Sequence, residues 1–377
     1  VKARPRIVIA PDAFKGSASA RVVADAIAAG LRDVWGDDID LAVVPIADGG
    51  EGTVDVFLAA GATPQTVRVS GPLGAPVDAV YALRDGRAVI EMAAASGLPL
   101  AGAAPRIWDA TSRGTGELLR DALDRGAREI VLGVGGSATN DGGAGALAAL
   151  GARFLAADGA EIDPSPRGLA ALAAIDVSGL DPRLAGTRID IACDVTNPLL
   201  GPNGATAVYG PQKGAEPADV PALDAMLARF AACAVAASGR DLRDLPGSGA
   251  AGGLGYALAT FAGAQLAPGF PLIAAACGLR DALAGADGCF TGEGRIDAQT
   301  LAGKAVDGVG ALARAAGVPV YALGGSVDPA VEAELFARGV VCVPIVAGPT
   351  DLAAAMRAAP ALIRAAAARC GRLLRTA

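Results

Sequence analysis

Acidic side chains recur beside glycine in this chain: Asp48 in "ADGGEGT", Asp141 in "TNDGG", Glu293 and Asp297 in "TGEGRID". Two more, Asp12 in "APDAFKG" and Asp194 in "CDVTNPL", directly follow apolar runs of strand character. Of four lysines, three occupy Gly-containing turns, Lys15 in "FKGS", Lys213 in "QKGA" and Lys304 in "GKAV", in a chain whose other basic residues are arginines. Histidine is absent, which excludes imidazole triads, histidine metal sites and histidine bases. Proton transfer therefore falls to carboxylate, lysine, cysteine or tyrosine. Carboxylates for a divalent cation, compact ammonium groups and glycine-rich phosphate cradles are together the parts that phosphoryl transfer requires.

The roles can be allotted residue by residue. Asp48 and Glu293 are expected to hold Mg²⁺, their glycine neighbours letting the carboxylate lean toward a cation. Lys15 and Lys304 are expected to meet phosphate as point charges, a task for which the planar fork of arginine is no equivalent. Asp194 is the first choice for the base that takes the proton of the attacking hydroxyl, with Asn197 close by to orient substrate, and Asp12 is the reserve. Each carboxylate also has a plainer reading, as an Asx-turn or helix cap. "TSRGTGE" adds Ser112 and Arg113 at a helix start, suited to a substrate carboxylate.

The cradles are "GVGGSATNDGGAG" (133–145), "GSGAAGG" (247–253) and "TGEG" (291–294). In the first, Gly135, Gly136, Ser137, Thr139 and Asn140 are the expected phosphate ligands; in the third, Gly292. Gly133, Gly135 and Ala138 also fit the dinucleotide fingerprint G-x-G-x-x-G/A, so an NAD-dependent oxidoreductase acting on a small hydroxy acid is the alternative. That reading needs an acidic residue about 20 positions on, where Asp158 lies in the hairpin-like "AADGA". A sugar-acid-binding regulator is a third reading, without a basic patch or DNA-binding helix pair to support it. "LAGKA" lacks the first glycine and final hydroxyl of a Walker A loop.

Elements must position these groups, and the composition says what kind. The chain has 377 residues, 53% hydrophobic and 19% charged, and a mean hydropathy of +0.44. Buried α/β layers in two or three compact units are implied. A net charge of −7 argues against nucleic acid or an anionic membrane surface as partner. Six scattered cysteines without C-x-x-C fit a cytoplasmic chain of buried thiols, and the opening "VKARPRIVIAPDAFKG" reads as no secretory signal. The uncharged stretch 245–279 is interrupted by Pro246, Pro268 and Pro271, so buried helix is expected there rather than a membrane span.

Strands are expected at "RIVIA" (6–10) and "IDLAVVPI" (39–46), with a helix between them capped by Ser17 or Ser19. Asp85-Gly86 between alternating runs signals a hairpin and the onset of antiparallel pairing. The middle reads as mixed: a helix over 115–125, strands at "REIVL" and "RIDIAC" (188–193), a hairpin at "AADGAEI", "ATAVY", and a long helix over 217–238. The βα rhythm then returns, with strand "GCF", turn "TGEGRID", a helix from about 302, strand "VPVYAL", turn "GGS" and strand "VVCVPIV". This implies an α/β fold. A parallel-sheet, Rossmann-like domain forms from both termini (1–64 and 278–377), with a mixed α/β domain (65–277) inserted and an active-site cleft between them.

With these motifs assembled, the chain closely resembles the bacterial glycerate kinase family of glyoxylate and sugar-diacid pathways. The resemblance rests on "APDAFKGSASA", "ADGGEGT", "EMAAASGL", "TSRGTGELL", "GGSATNDGGAG", "CDVTNPLLGPNGA", "YGPQKGA", "GAAGGLG" and "TGEGRIDAQTLAGK", in that order over about residues 7 to 325. It implies ATP-dependent phosphorylation of D-glycerate to 2-phosphoglycerate with Mg²⁺, in a monomer or homodimer. One departure is Val306-Asp307 after Lys304-Ala305, where the family pattern runs Pro-Ile.

Overall fold

The computed structural model describes residues 4–301 and 303–376. They form two compact units: the first from the residues up to Asp48, Asp55–Ala60 and the residues from Phe270 onward, the second from Gly49–Val54 and Gly61–Gly269. Strands β1 (Arg6–Ile9) and β2 (Asp40–Val43) open the first unit. The second follows with β3 (Thr63–Ser70), β4 (Pro76–Arg84), β5 (Arg87–Glu91), β6 (Glu129–Gly133), β7 (Arg153–Leu155), β8 (Ala174–Asp176), β9 (Arg188–Ala192) and β10 (Gln265–Ala267). The chain then returns to the first with β11 (Gly288–Ile296), β12 (Val320–Val327) and β13 (Val340–Pro344).

The first unit's sheet is parallel throughout, in the order β13-β12-β11-β1-β2. Counted within the unit this is the doubly wound order 2-1-3-4-5, whose topological switch point falls between β1 and β11. Consecutive residues of β1 are buried on opposite faces, as a parallel sheet covered on both sides demands. Ile7 and Ile9 pack with Val23, Ile27 and Leu31 of helix Ala20–Trp35 and with Ile363 of helix Ala359–Thr376. Val8 and Ala10 pack with Phe270 and with Val306 and Val309 of helix Ala305–Ala315. Ser19 caps the first helix, its hydroxyl accepting from the Val22 amide at 3.4 Å. Gly30 lets that helix meet the C-terminal one, since a Cβ there would lie 2.2 Å from the Arg364 carbonyl oxygen.

The second unit holds a mixed sheet, β10-β9-β6-β5-β4-β3, antiparallel from β3 to β5 and parallel beyond. The Asp85-Gly86 turn has positive φ at both residues, 51° and 76°, the twist a tight hairpin needs. Helix Val220–Ser238 is the one described helix long and apolar enough to cross a membrane. Its Leu223, Leu227, Phe230 and Ala234 are buried, with Phe230 against Phe154 and Tyr256.

Several local expectations are corrected. Antiparallel pairing begins one strand early, because β3 at the sheet edge offers only Val67 and Val69 to the core, too short an alternation to read. "ATAVY" is a helix, Ala205–Tyr209. "TGEGRI" and "GGSV" are strand, not turn: β11 and β12 remain paired from Cys289↔Val320 to Ile296↔Val327, and glycine at 292 and 325 permits the close strand approach, since a Cβ at either would lie 2.4 Å from a carbonyl oxygen of the partner strand. The hairpin at Asp158-Gly159 does form, short, through the Leu155–Glu161 bridge and the Ala156 and Ile162 amides donating to the Ala160 and Phe154 carbonyls at 2.9 Å each, while β7 also pairs with β8. The expected helix start near 302 lies outside the described residues; the helix itself is Ala305–Ala315.

Candidate functional site

One cavity of about 500 Å³, lined by residues of the first unit, gathers Asp12, Lys15, Asp48, Glu293 and Lys304. Its polar floor lies at the carboxyl ends of the parallel strands on either side of the switch point, where open α/β sheets take their ligands. The sheet aims these groups directly. The Asp12 amide donates to the Gly292 carbonyl at 2.9 Å and the Thr291 hydroxyl to the Ala10 carbonyl at 2.8 Å, so the chain leaving β1 stays zipped to β11. Asp12 and Glu293 therefore come from adjacent strands.

Burial pushes the Asp12 carboxyl up to about 7, with the Asp48 charge adding to the rise; the Ala13 amide, donating at 2.6 Å, and Lys15 oppose it. Burial likewise raises Glu293, against the Thr300 hydroxyl, which donates to it at 2.6 Å, and the charges of Lys304 and Lys15. Lys15 extends into solvent with its Nζ 3.8 Å from Asp48 Oδ2. Lys304 Nζ donates to Gln299 Oε1 at 3.2 Å. The departure after Lys304 is accommodated structurally: Val306 is core, and Asp307 accepts from Arg338 at 2.9 Å.

Gly292 is held in a strand rather than in the expected turn. It lies inside β11, where a Cβ would meet the Leu323 carbonyl oxygen at 2.4 Å, and its role is to let strands close. Gly294, further along, lines the cavity instead. The sequence reading also missed the opposite, apolar wall, formed by Ile345, Val346, Leu352, Ala355, Met356 and Ala359. Its only signal was that these residues follow the last strand.

The other candidates belong to the second unit. Gly135 and Gly136 are exposed, and Ser137 is nearly buried beside them. Thr139 and Asn140 are turned inward, with no exposed surface, and bonded to the Ala251 carbonyl at 3.3 Å and the Thr206 hydroxyl at 2.9 Å. Ser112 is equally buried; its hydroxyl donates to Asp141 at 2.8 Å and accepts from the Ala146 amide at 3.0 Å, which makes it a brace rather than a substrate ligand. Arg113 is half exposed and pairs with Glu117 at 3.3 Å. Asn197 donates to the Asn203 carbonyl at 2.8 Å and accepts from Tyr209 at 2.6 Å, so it holds its own loop. Asp194 is exposed and accepts the Gly269 amide at 2.8 Å, at the start of helix Gly269–Ala276. That geometry is the helix-capping alternative, not that of a poised base.

Lys213 explains part of this inward turn. It is fully buried and donates to the Thr139 carbonyl at 2.7 Å. Burial lowers its amine to about 7 despite the favourable charge of Asp141. Between pH 7 and the ordinary lysine value, the unfolded chain then holds a proton that the folded chain has shed, so stability rises with pH across that window. Lys213→Met should flatten this rise, worth at most about 1.4 kcal/mol per pH unit. Urea unfolding at intervals from pH 6.5 to 10 checks it, and a slope matching wild type would show that the amine does not titrate there.

Fold and site together define a protein of the doubly wound α/β class, with carboxylates and ammonium groups gathered in one cavity at the strand ends. Comparison with known proteins is more specific. The glycerate kinase family model matches residues 7–375. A glycerate kinase of Bacillus subtilis (strain 168) is 49% identical over 86% of this chain and 85% of its own. The glycerate 2-kinase of Escherichia coli (strain K12) is 48% identical over 85% of each. A crystal structure of a Salmonella typhimurium LT2 protein described as a glycerate kinase 2 superposes with a TM-score of 0.90 at 45% identity, covering 99% of this chain and 98% of that one. The chain belongs to the glycerate kinase family and is a kinase.

Proposed function

We propose that the chain transfers the γ-phosphoryl group of ATP to the 2-hydroxyl of D-glycerate, giving 2-phosphoglycerate and ADP. One observation carries the mechanism: Asp12, Lys15, Asp48, Glu293 and Lys304 line a single cavity at the switch point of the parallel sheet. Among the described residues, no three His, Cys, Asp or Glu side chains form a cage for a metal ion. This donor set still fits Mg²⁺, which keeps waters and usually takes one or two carboxylates plus substrate phosphates. Asp48 and Glu293 would hold it, and when bound it would neutralise charge on the phosphate oxygens.

The remaining work belongs to the chain. Lys15 and Lys304 carry flexible ammonium groups to the phosphate oxygens. Asp12, fixed by the β1–β11 ladder, accepts the proton of the attacking hydroxyl. Glu293 is held in place by Thr300. Purified protein with Mg²⁺ should release ADP from ATP only when D-glycerate is added, as a coupled assay would show. Phosphorus NMR of the product should show the 2-phosphate. Absence of turnover by folded protein would overturn the activity, and a 3-phosphate would overturn the regiochemistry.

A further inference from the structure

The cavity is two-faced, and its two faces do not suit the same substrate. Four carboxylates, Asp12, Asp48, Glu293 and Asp297, line it together with the cationic Lys15, Lys304 and Arg295, while the far wall is aliphatic and thioether. That wall is built from the end of β13 and from the short helix Leu352–Arg357, which has no buried residue of its own. Leu352 is 76% exposed. Met356 reaches back over the Lys15 turn, its Cε only 3.1 Å from where a Cβ on Gly16 would stand. An apolar surface thus faces the cavity within one side chain's length of a phosphate-seeking lysine.

D-Glycerate has three carbons, each bearing oxygen, and nothing to bury against such a wall. A cavity of about 500 Å³ also far exceeds so small an acid, and falls within the usual range of about 300–1,000 Å³ for sites of larger ligands. A nucleotide has the matching layout: a flat, largely apolar base at one end and a polyanion at the other. We propose that this cavity is the nucleotide site of the first unit, with the adenine ring against Ile345, Val346, Leu352 and Met356, and the phosphates over Lys15 and Lys304. The assignment rests on the kinase reading above and deepens it by saying which ligand occupies the first unit. Recognition of the base is by apolar contact, so its affinity follows the area of this wall.

Titration of ADP with Mg²⁺ into the full-length protein by calorimetry, alongside separate KM measurements for ATP and D-glycerate, tests this. Ala355→Trp fills the wall and should weaken ADP binding at least tenfold, while leaving the KM for D-glycerate within about twofold of wild type. Leu352→Asn, at an exposed position where folding is not at stake, should weaken ADP several-fold. Unchanged ADP affinity in both folded variants would overturn the assignment, as would a rise in the D-glycerate KM with ATP unaffected. If wild type binds ADP, Ala355→Trp loses it, and no glycerate is turned over, the nucleotide site stands and the glycerate activity alone falls.

Discussion

Asp12→Asn is expected to lower kcat by about 10²-fold or more without loss of folding, while Asp194→Asn should retain most activity. The two carboxylates are distinguished by what holds them. Asp12 sits almost buried on the cavity floor, and its backbone is tied to β11 through Gly292. Asparagine there keeps the shape and an oxygen to accept from the Ala13 amide, but cannot take a proton. It also removes a buried negative charge beside Asp48, so the melting temperature should hold or rise. Asp194, by contrast, accepts a helix-starting amide. Asparagine can supply that acceptor, so its substitution should cost little in either activity or stability. Steady-state kinetics with matched thermal melts decide the matter. A large loss in Asp194→Asn with near-normal Asp12→Asn would return the base to the second unit.

Much of the fold was legible because it is written in periodicity. The apolar run of β1, the helical spacing after Ser19, and Asp85-Gly86 between alternating strands each have a local cause, and each element appears. What misled was glycine. In "TGEGRI" and "GGSV" glycine reads as a turn signal, yet Gly292 and Gly325 serve to let β11 and β12 approach, a tertiary demand invisible to local rules. The site shows the same division. Residues placed by strand ends, Asp12, Asp48 and Glu293, meet in one cavity as a parallel sheet dictates. Those placed by loop chemistry, Thr139, Asn140, Ser112 and Asn197, bond to other groups of the second unit, the Ala251 carbonyl, Thr206, Asp141 and the Asn203 carbonyl, with Asn140 Oδ1 left buried and unbonded. A polar side chain in a glycine-rich loop has the same sequence signature whether it faces a ligand or the interior.

Asp141→Ala should be among the most damaging single substitutions in the second unit, through stability rather than chemistry. The Asp141 carboxylate has no exposed surface and receives four donors: the Ser112 amide at 2.7 Å, the Ser112 hydroxyl at 2.8 Å, the Gly143 amide at 3.0 Å and the Gly145 amide at 3.2 Å. Glycine is required beside it, because a Cβ at Gly145 would stand 2.0 Å from the Thr111 hydroxyl and 2.9 Å from the Asp141 carboxylate itself. Burial pushes the carboxyl up, and the donors from Ser112, Gly143 and Gly145 pull against it. Alanine leaves these donors buried without an acceptor and takes from Lys213 the charge that favours its ammonium form. Breaking a buried, hydrogen-bonded charge in this way costs about 3–5 kcal/mol, a large share of the 5–15 kcal/mol that holds a typical domain together. Asp141→Asn should fall in the same direction but less far, since one oxygen remains while its NH₂ confronts N–H donors. Urea unfolding of the two variants against wild type measures both losses. A change below about 1 kcal/mol for Asp141→Ala, the level of an ordinary surface substitution or slightly above it, would mean that the loop closes on its own backbone and that Asp141 is not what binds it.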